Sequence, residues 1–320
     1  MKVDKKDRKL LHALDENSRL TYTQLGRIAG ISQETARYRV EQLFKKGVIQ
    51  QALTIVDPGK LHAVFYKVLL RFHNADTAKR EEIVKRLISN PLLVWLAELD
   101  GSYDLGLVIK VEHVTELDAF MEGLYQQYHL FISKHDLSIN LKGEYLLRDY
   151  LVHTSRKPQR EISYSAEKGG VTLDALDLSI LRALCRYPRI PVAALAKECD
   201  VAPDTIRNRM VRLLQNRVIT KYTIVLNHDA LNQLHCKILV YASDYDPTHI
   251  SDFLHYCQSL SRVVYIIKAL GKWNFELDIE SESFDQFRDV MMDLTKRFSH
   301  VIRDYDTLIV RKIHKYNLYP

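Results

Sequence analysis

The chain has 320 residues, 47% hydrophobic and 27% charged, a profile of folded globular protein that sets aside disorder and fibrous repeats. No apolar run approaches the roughly 20 residues that span a bilayer, and the opening MKVDKKDRKLL lacks the apolar segment of a secretory signal, so a cytoplasmic location is expected. Cys185, Cys199, Cys236 and Cys257 include no close pair, which sets aside a zinc framework or a disulfide scaffold; reduced, mostly buried thiols are expected, with no metal and no cofactor.

In chain order, Asp4 to Asp15 carries Leu10, Leu11 and Leu14 on one face and predicts a first helix. LTYTQLGRIAG predicts a shorter amphipathic helix through Leu25 and Ile28, closed by Gly30. From Ile31 to Ile49, Ala36, Val40, Leu43 and Phe44 recur at helical spacing, while Gln33, Glu34, Arg37, Tyr38 and Glu41 fall on the other side. Ser32 suits an N-cap and Gly47 a left-handed C-terminal cap. A helix pair joined by such a turn is a helix-turn-helix, whose second helix lies in the DNA major groove with its N-terminal residues at the base edges. Arg39 lies about 200° around the helix from Arg37, so Arg39 is expected to tie to Asp7 while Arg37 faces DNA. VIQQALTIVD is β-rich and predicts the strand or wing of a winged helix.

From His62 the pattern changes. VFYKVLLRF, Leu92 to Glu98, Leu105 to Val111 and a segment near Leu137 to Lys142 predict strands; Ala75 to Ser89 and Thr115 to Tyr128 predict helices. The order is βαββαβ, a ferredoxin-like arrangement. Val152 to Gly170 is polar, carries Pro158 and a terminal Gly-Gly, and predicts a linker whose Arg156, Lys157, Arg160 and Lys168 either keep a tether soluble, the favoured reading, or brush phosphate.

Beyond it the chain repeats itself at an offset of 170 residues: Val201 to Ile219 aligns without a gap on Ile31 to Ile49, matching Thr35 with Thr205, Arg37 with Arg207, Arg39 with Arg209 and Leu43 with Leu213. LHCKILVYA opens a second βαββαβ unit, and Gly271 matches Gly101. The fold class expected is α+β, with two winged helix-turn-helix domains and two ferredoxin-like sensor domains in tandem. The boundaries fall at 1–57, 58–151, 152–170 for the linker, 171–227 and 228–320. Residues 1–50 hold eleven Lys/Arg against six Asp/Glu and residues 171–222 nine against five, so these two segments carry more positive charge than the whole chain's net +6. Basic helical units on a slightly acidic remainder predict phosphate contact with double-stranded DNA.

The run Ser32, Thr35, Arg39, Val40, Leu43, Gly47, Val48, Ile49, followed by a βαββαβ unit with GSYD at Gly101 to Asp104, resembles the leucine-responsive/AsnC regulators, the feast/famine transcription factors. The resemblance covers nearly the whole chain twice. It implies a DNA-binding transcriptional regulator with no catalytic residues, self-association through the sensor domains into oligomers of pseudo-dimeric chains, and response to an amino acid or related small effector. DNA contacts are expected from Ser32, Gln33, Glu34, Thr35, Arg37 and Tyr38, and from Pro203, Asp204, Thr205, Arg207 and Asn208. Effector contacts are expected from Gly101, Ser102, Tyr103, Asp104, Gly271 and Trp273. The second copy departs from the pattern: Ala202 stands at the N-cap, Arg217 at the Gly47 position, and Asn274 where the first copy has Asp104, so effector binding is expected to be lopsided. Siroheme decarboxylases share this module order and form the alternative, an enzyme reading that requires histidines and arginines gathered around a tetrapyrrole. His62, His73, His129 and His135 are scattered along the sequence; His249, His255 and Cys257 suggest a metal only until their spacing is read, since a six-residue gap puts the two histidines on different helix faces.

Overall fold

In this computed structural model, which describes residues 3–154 and 162–319, the first helical unit comprises α1 (Lys5–Glu16), α2 (Tyr22–Ala29) and α3 (Gln33–Lys45). Each helix begins on a residue that accepts from first-turn N–H groups left without a helical partner: Asp4, Thr21 and Ser32. Leu10, Leu11, Leu14, Leu25, Ala36, Val40 and Leu43 meet in one buried cluster, each leucine contributing roughly 1.5–3 kcal/mol through burial. The chain continues through β1 (Ile49–Val56), β2 (Val64–Phe72), α4 (Thr77–Ile88), β3 (Leu93–Asp100), β4 (Leu105–Val111), α5 (Val114–Tyr128) and β5 (Ile132–Tyr145). A short β6 (Tyr164–Ser165) precedes the second half: α6 (Ala175–Arg186), α7 (Val192–Glu198), α8 (Pro203–Gln215), β7 (Ile219–Leu226), a one-turn α9 (His228–Leu231), β8 (Leu234–Ala242), α10 (Pro247–Ser259), β9 (Val263–Gly271), β10 (Phe275–Ser281), α11 (Phe284–Arg297) and β11 (Ile302–Tyr316). Both halves therefore have the expected order. No helix among the described residues is long and apolar enough to cross a membrane.

The strand after each helix-turn-helix does not form a wing within its own unit. β1 pairs antiparallel with β7, Leu53 opposite Thr223, because a lone strand needs a partner for its N–H and C=O groups and the other repeat supplies one. The exchange carries side chains with it. Ile224 and Leu226 of β7 enter the core of the first helical unit, and Val56 of β1 enters that of the second. Two reciprocal arginines close the same joint: Arg19 donates to the carbonyls of Pro188 and Ile190, and Arg189 to those of Ser18 and Leu20.

The two βαββαβ units join into one ring. Hydrogen bonding runs β2-β4-β3-β11-β8-β10-β9-β5 and closes through β5 with β2; β5 meets β2 along its first half, up to Ile139, and β9 along its second, from Ser138. The seams between units are β3–β11 and β5–β9, in matching register: Val310 faces Leu99 as Asn140 faces Ala269. Helices α4 and α5 cover one unit's outer face and α10 and α11 the other's, over separate apolar clusters. Alternate residues such as Phe65, Leu69, Trp95, Leu239 and Ile267 point inward to a shared core.

The described part of the predicted linker is not a free tether. Ser163 N–H donates to the Gly143 carbonyl and Ala166 N–H to that of Leu141, and Tyr164, 1% exposed, inserts into the shared core against Phe65. A strand edge beside β5 and an apolar opening reward ordering of this segment. Lys168 donates to the Glu112 carbonyl, while Arg156, Lys157, Arg160 and Pro158 lie outside the described residues.

Candidate nucleic-acid interface

On α3, Ser32, Gln33, Glu34, Thr35, Arg37 and Tyr38 are all exposed, Tyr38 by 63%, while Ala36 and Val40 are buried. One side packs and the other faces outward. Ser32 Oγ accepts from Thr35 N–H at 3.1 Å, and Arg37 is held to Glu41 at 2.8 Å on the open surface. Arg39 turns inward, as expected, and donates to Asp4 and Asp7 at 2.8 and 2.9 Å. It thereby locks α3 onto the capping box that starts α1.

The second unit repeats this on different chemistry. Pro203, Asp204, Arg207 and Asn208 are exposed and Thr205 is half-buried. Arg209 ties to Asp174 and Asp177, with Arg212 adding a bond to Asp177 at 2.7 Å. Ala202 makes no cap bond, and Arg207 pairs with Asp204 of its own helix. Arg217 adopts φ +55°, as Gly47 adopts φ +68°, so a residue with a Cβ occupies the left-handed position that costs roughly 1–2 kcal/mol.

These two units each match the family model for the AsnC-type helix-turn-helix domain, at residues 3–43 and 173–214. The chain carries the AsnC-type helix-turn-helix domain twice. It is similar to the uncharacterized HTH-type transcriptional regulator PH0140 of Pyrococcus horikoshii, 29% identical over 121 residues that cover 38% of this chain and 75% of that protein. It is also similar to the regulatory protein AsnC of Haemophilus influenzae, 25% identical over 37% of this chain and 79% of that one. Among solved structures, the siroheme decarboxylase NirDL shares the fold: TM-score 0.59 at 12% identity, covering 98% of this chain and 93% of that one.

In this AsnC-type tandem chain the residues expected to hold an effector serve the ring itself. Asp104 accepts from Phe72 N–H at 2.8 Å and from Arg80 at 3.1 Å, with Arg71 at 3.4 Å. Asn274 accepts from Ala242 N–H at 2.8 Å, the equivalent bond, which explains why aspartate and asparagine interchange there. Gly101 and Gly271 sit at the two seams, where a Cβ would lie 2.8 Å from the Thr307 carbonyl and 2.6 Å from that of Leu137, with φ of +134° and +152°. Tyr103 and Trp273 are fully buried; Tyr103 donates to Asp136 at 2.5 Å and Trp273 to Glu276 at 3.0 Å. Ser102 is exposed, 3.3 Å from Asp306. The hairpin's pattern thus meets the needs of strand geometry at both seams.

Two charged groups escaped the sequence reading. Inside the ring, Lys67 and Lys237 approach Glu276 at 3.5 and 3.0 Å, and Asp278 meets Lys237 at 2.5 Å and His235 at 3.0 Å. Burial pushes Lys67 down to about 8, whereas for Lys237 the carboxylates outweigh burial and raise it. Beside them, Arg148 grips Glu280 at 3.0 Å and Asp15 at 2.5 Å. Burial pushes Glu280 up, but Arg148 and His228 outweigh it and hold the carboxyl well below the usual range. The available signal was a carboxylate at every second position of FELDIE in an otherwise apolar strand.

Proposed function

We propose that this chain is a sequence-specific regulator of transcription that binds double-stranded DNA through α3 and α8 and reads an asymmetric site. The observation that supports it is the pair of outward faces on two AsnC-type domains that share an arginine and differ at three of these four positions: Gln33, Glu34, Arg37 and Tyr38 on one, Pro203, Asp204, Arg207 and Asn208 on the other. Gln33 suits adenine, and Pro203 offers no donor, while Asn208 brings an amide that Tyr38 lacks. Two unlike readers held by one β1–β7 joint favour two unlike half-sites over a palindrome. Selection of binding sites from random DNA, repeated with Arg37→Ala and Arg207→Ala, tests this. Each variant is expected to lose information in one half-site, and a short palindrome degraded equally by both overturns the proposal.

The reading also includes response to an amino acid or related small effector, and association of whole chains with one another. Both rest on the family resemblance. Calorimetric titration with the amino acids, and sedimentation of the intact chain, test them; no binding heat and a strict monomer overturn them. The alternative, decarboxylation of a tetrapyrrole, has less support. The cavity inside the ring, lined by Lys67, Trp95 and Tyr164, and the one between the β1–β7 joint and the ring, lined by Arg148, His228 and His235, measure about 50 Å³ each, against the roughly 300–1,000 Å³ of typical small-molecule sites.

A further inference from the structure

The charge inside the ring is unevenly shared between the two sensor modules. At the 170-residue offset Lys67 corresponds to Lys237, but Glu276 corresponds to Gly106, Asp278 to Val108 and Glu280 to Lys110. The acidic rows therefore belong to the second module alone. Lys67, 2% exposed with its ammonium 4.0 Å from the centre of the Trp95 ring, finds its carboxylate on the other module, Glu276 at 3.5 Å. Glu280, also fully buried, is likewise paired across the joint by Arg148, which follows β5 of the first module.

We infer that this buried row is a pairing code, by which the inner face of the first module accepts the acidic inner face of a second-type module and rejects a copy of itself. Two first-type modules facing each other bury two Lys67 ammonium groups against glycine and valine, with no carboxylate in the row. Two second-type modules bury two copies each of Glu276, Asp278 and Glu280, six carboxylates, against two Lys237 and the imidazoles of His228 and His235. Both arrangements leave uncompensated charge in a low-dielectric interior, the costly case for buried ions, whereas the unlike pair balances. The code keeps unlike readers together.

A protease site placed between residues 154 and 162 of the full chain allows the test. The cut chain is unfolded in urea, refolded as an equal mixture of its halves, and the pairs are counted by native mass spectrometry. Random pairing gives as many like pairs as unlike ones; the code predicts at least a roughly tenfold excess of unlike pairs, about 1.4 kcal/mol by the usual conversion. Lys67→Met removes the buried ammonium from the first half, while Glu276 keeps Lys237 at 3.0 Å, so unlike pairs still form and like pairs of first halves are expected to rise several-fold. A random mixture from the unmodified halves overturns the proposal, as does an unlike-pair excess that Lys67→Met leaves unchanged.

Discussion

Replacing Arg148 by Met removes the group that holds the first helical unit to the ring. Its guanidinium lies within 3.1 Å of Glu280 and 2.5 Å of Asp15, and its own N–H donates to Asp15 at 2.9 Å. The side chains of Asp15 and Glu280 are 1% and 0% exposed. Removing one partner from a buried ion pair typically costs about 3–5 kcal/mol, because the remaining charge stays desolvated. Here two carboxylates are left behind. Glu280 keeps Tyr150 at 2.6 Å and His228 at 2.8 Å, and Asp15 keeps Thr223 at 2.8 Å, which places the expected loss within that range despite the doubled charge. The sign of the pH dependence follows. In the native chain both carboxyls sit below their usual values, so their contribution is present above those values and lost as pH falls through the folded ones. Without Arg148 burial dominates and raises both, so the variant's deficit is expected to be larger at pH 8 than at pH 5. Urea unfolding of the native chain and the variant at both values measures this. A deficit below about 1 kcal/mol, equal at the two pH values, refutes the reasoning.

Gly271→Ala is expected to destabilise the ring by several kcal/mol, because its Cβ would lie 2.6 Å from the Leu137 carbonyl at φ +152°; a thermal midpoint unchanged within a degree contradicts this. Ala202→Ser supplies the missing cap of α8 and is expected to add about 1 kcal/mol, while Arg217→Gly relieves a left-handed backbone and adds roughly 1 kcal/mol less whatever its bond to the Ile162 carbonyl contributes; urea midpoints check both. Lys67, lowered by burial to about 8 in the folded chain, leaves the unfolded state with more bound protons from about pH 8 up to its ordinary value. Its share of stability therefore rises with pH in that window, by up to roughly 1.4 kcal/mol per pH unit. The rise is expected to vanish in Lys67→Met, and a difference between the two chains that is flat with pH refutes the assignment.

Local chemistry was legible in the sequence wherever the physical cause lies within a helix turn or a strand's alternation. Ser32 announced a helix start, the stripe from Ala36 to Leu43 announced a packed face, and the 170-residue repeat announced two copies of everything. Even the tie of Arg39 to Asp7 could be deduced, since 3.6 residues per turn forbids Arg37 and Arg39 the same direction. Tertiary structure alone decided what the copies do to each other. The hydrogen-bonding needs of a strand do not say which strand will meet them, so β1 pairing with β7 in place of a wing, the closed ring, and the ordering of Tyr164 could not be deduced from periodicity. The same holds for Gly101 and Gly271. Their demand comes from a backbone carbonyl of the other module, and a local motif read as a binding hairpin carries no trace of it. Lys67 and Glu276 lie more than two hundred residues apart and in different repeats. Only the closing of the ring makes them neighbours, and burial gives that meeting its energetic weight.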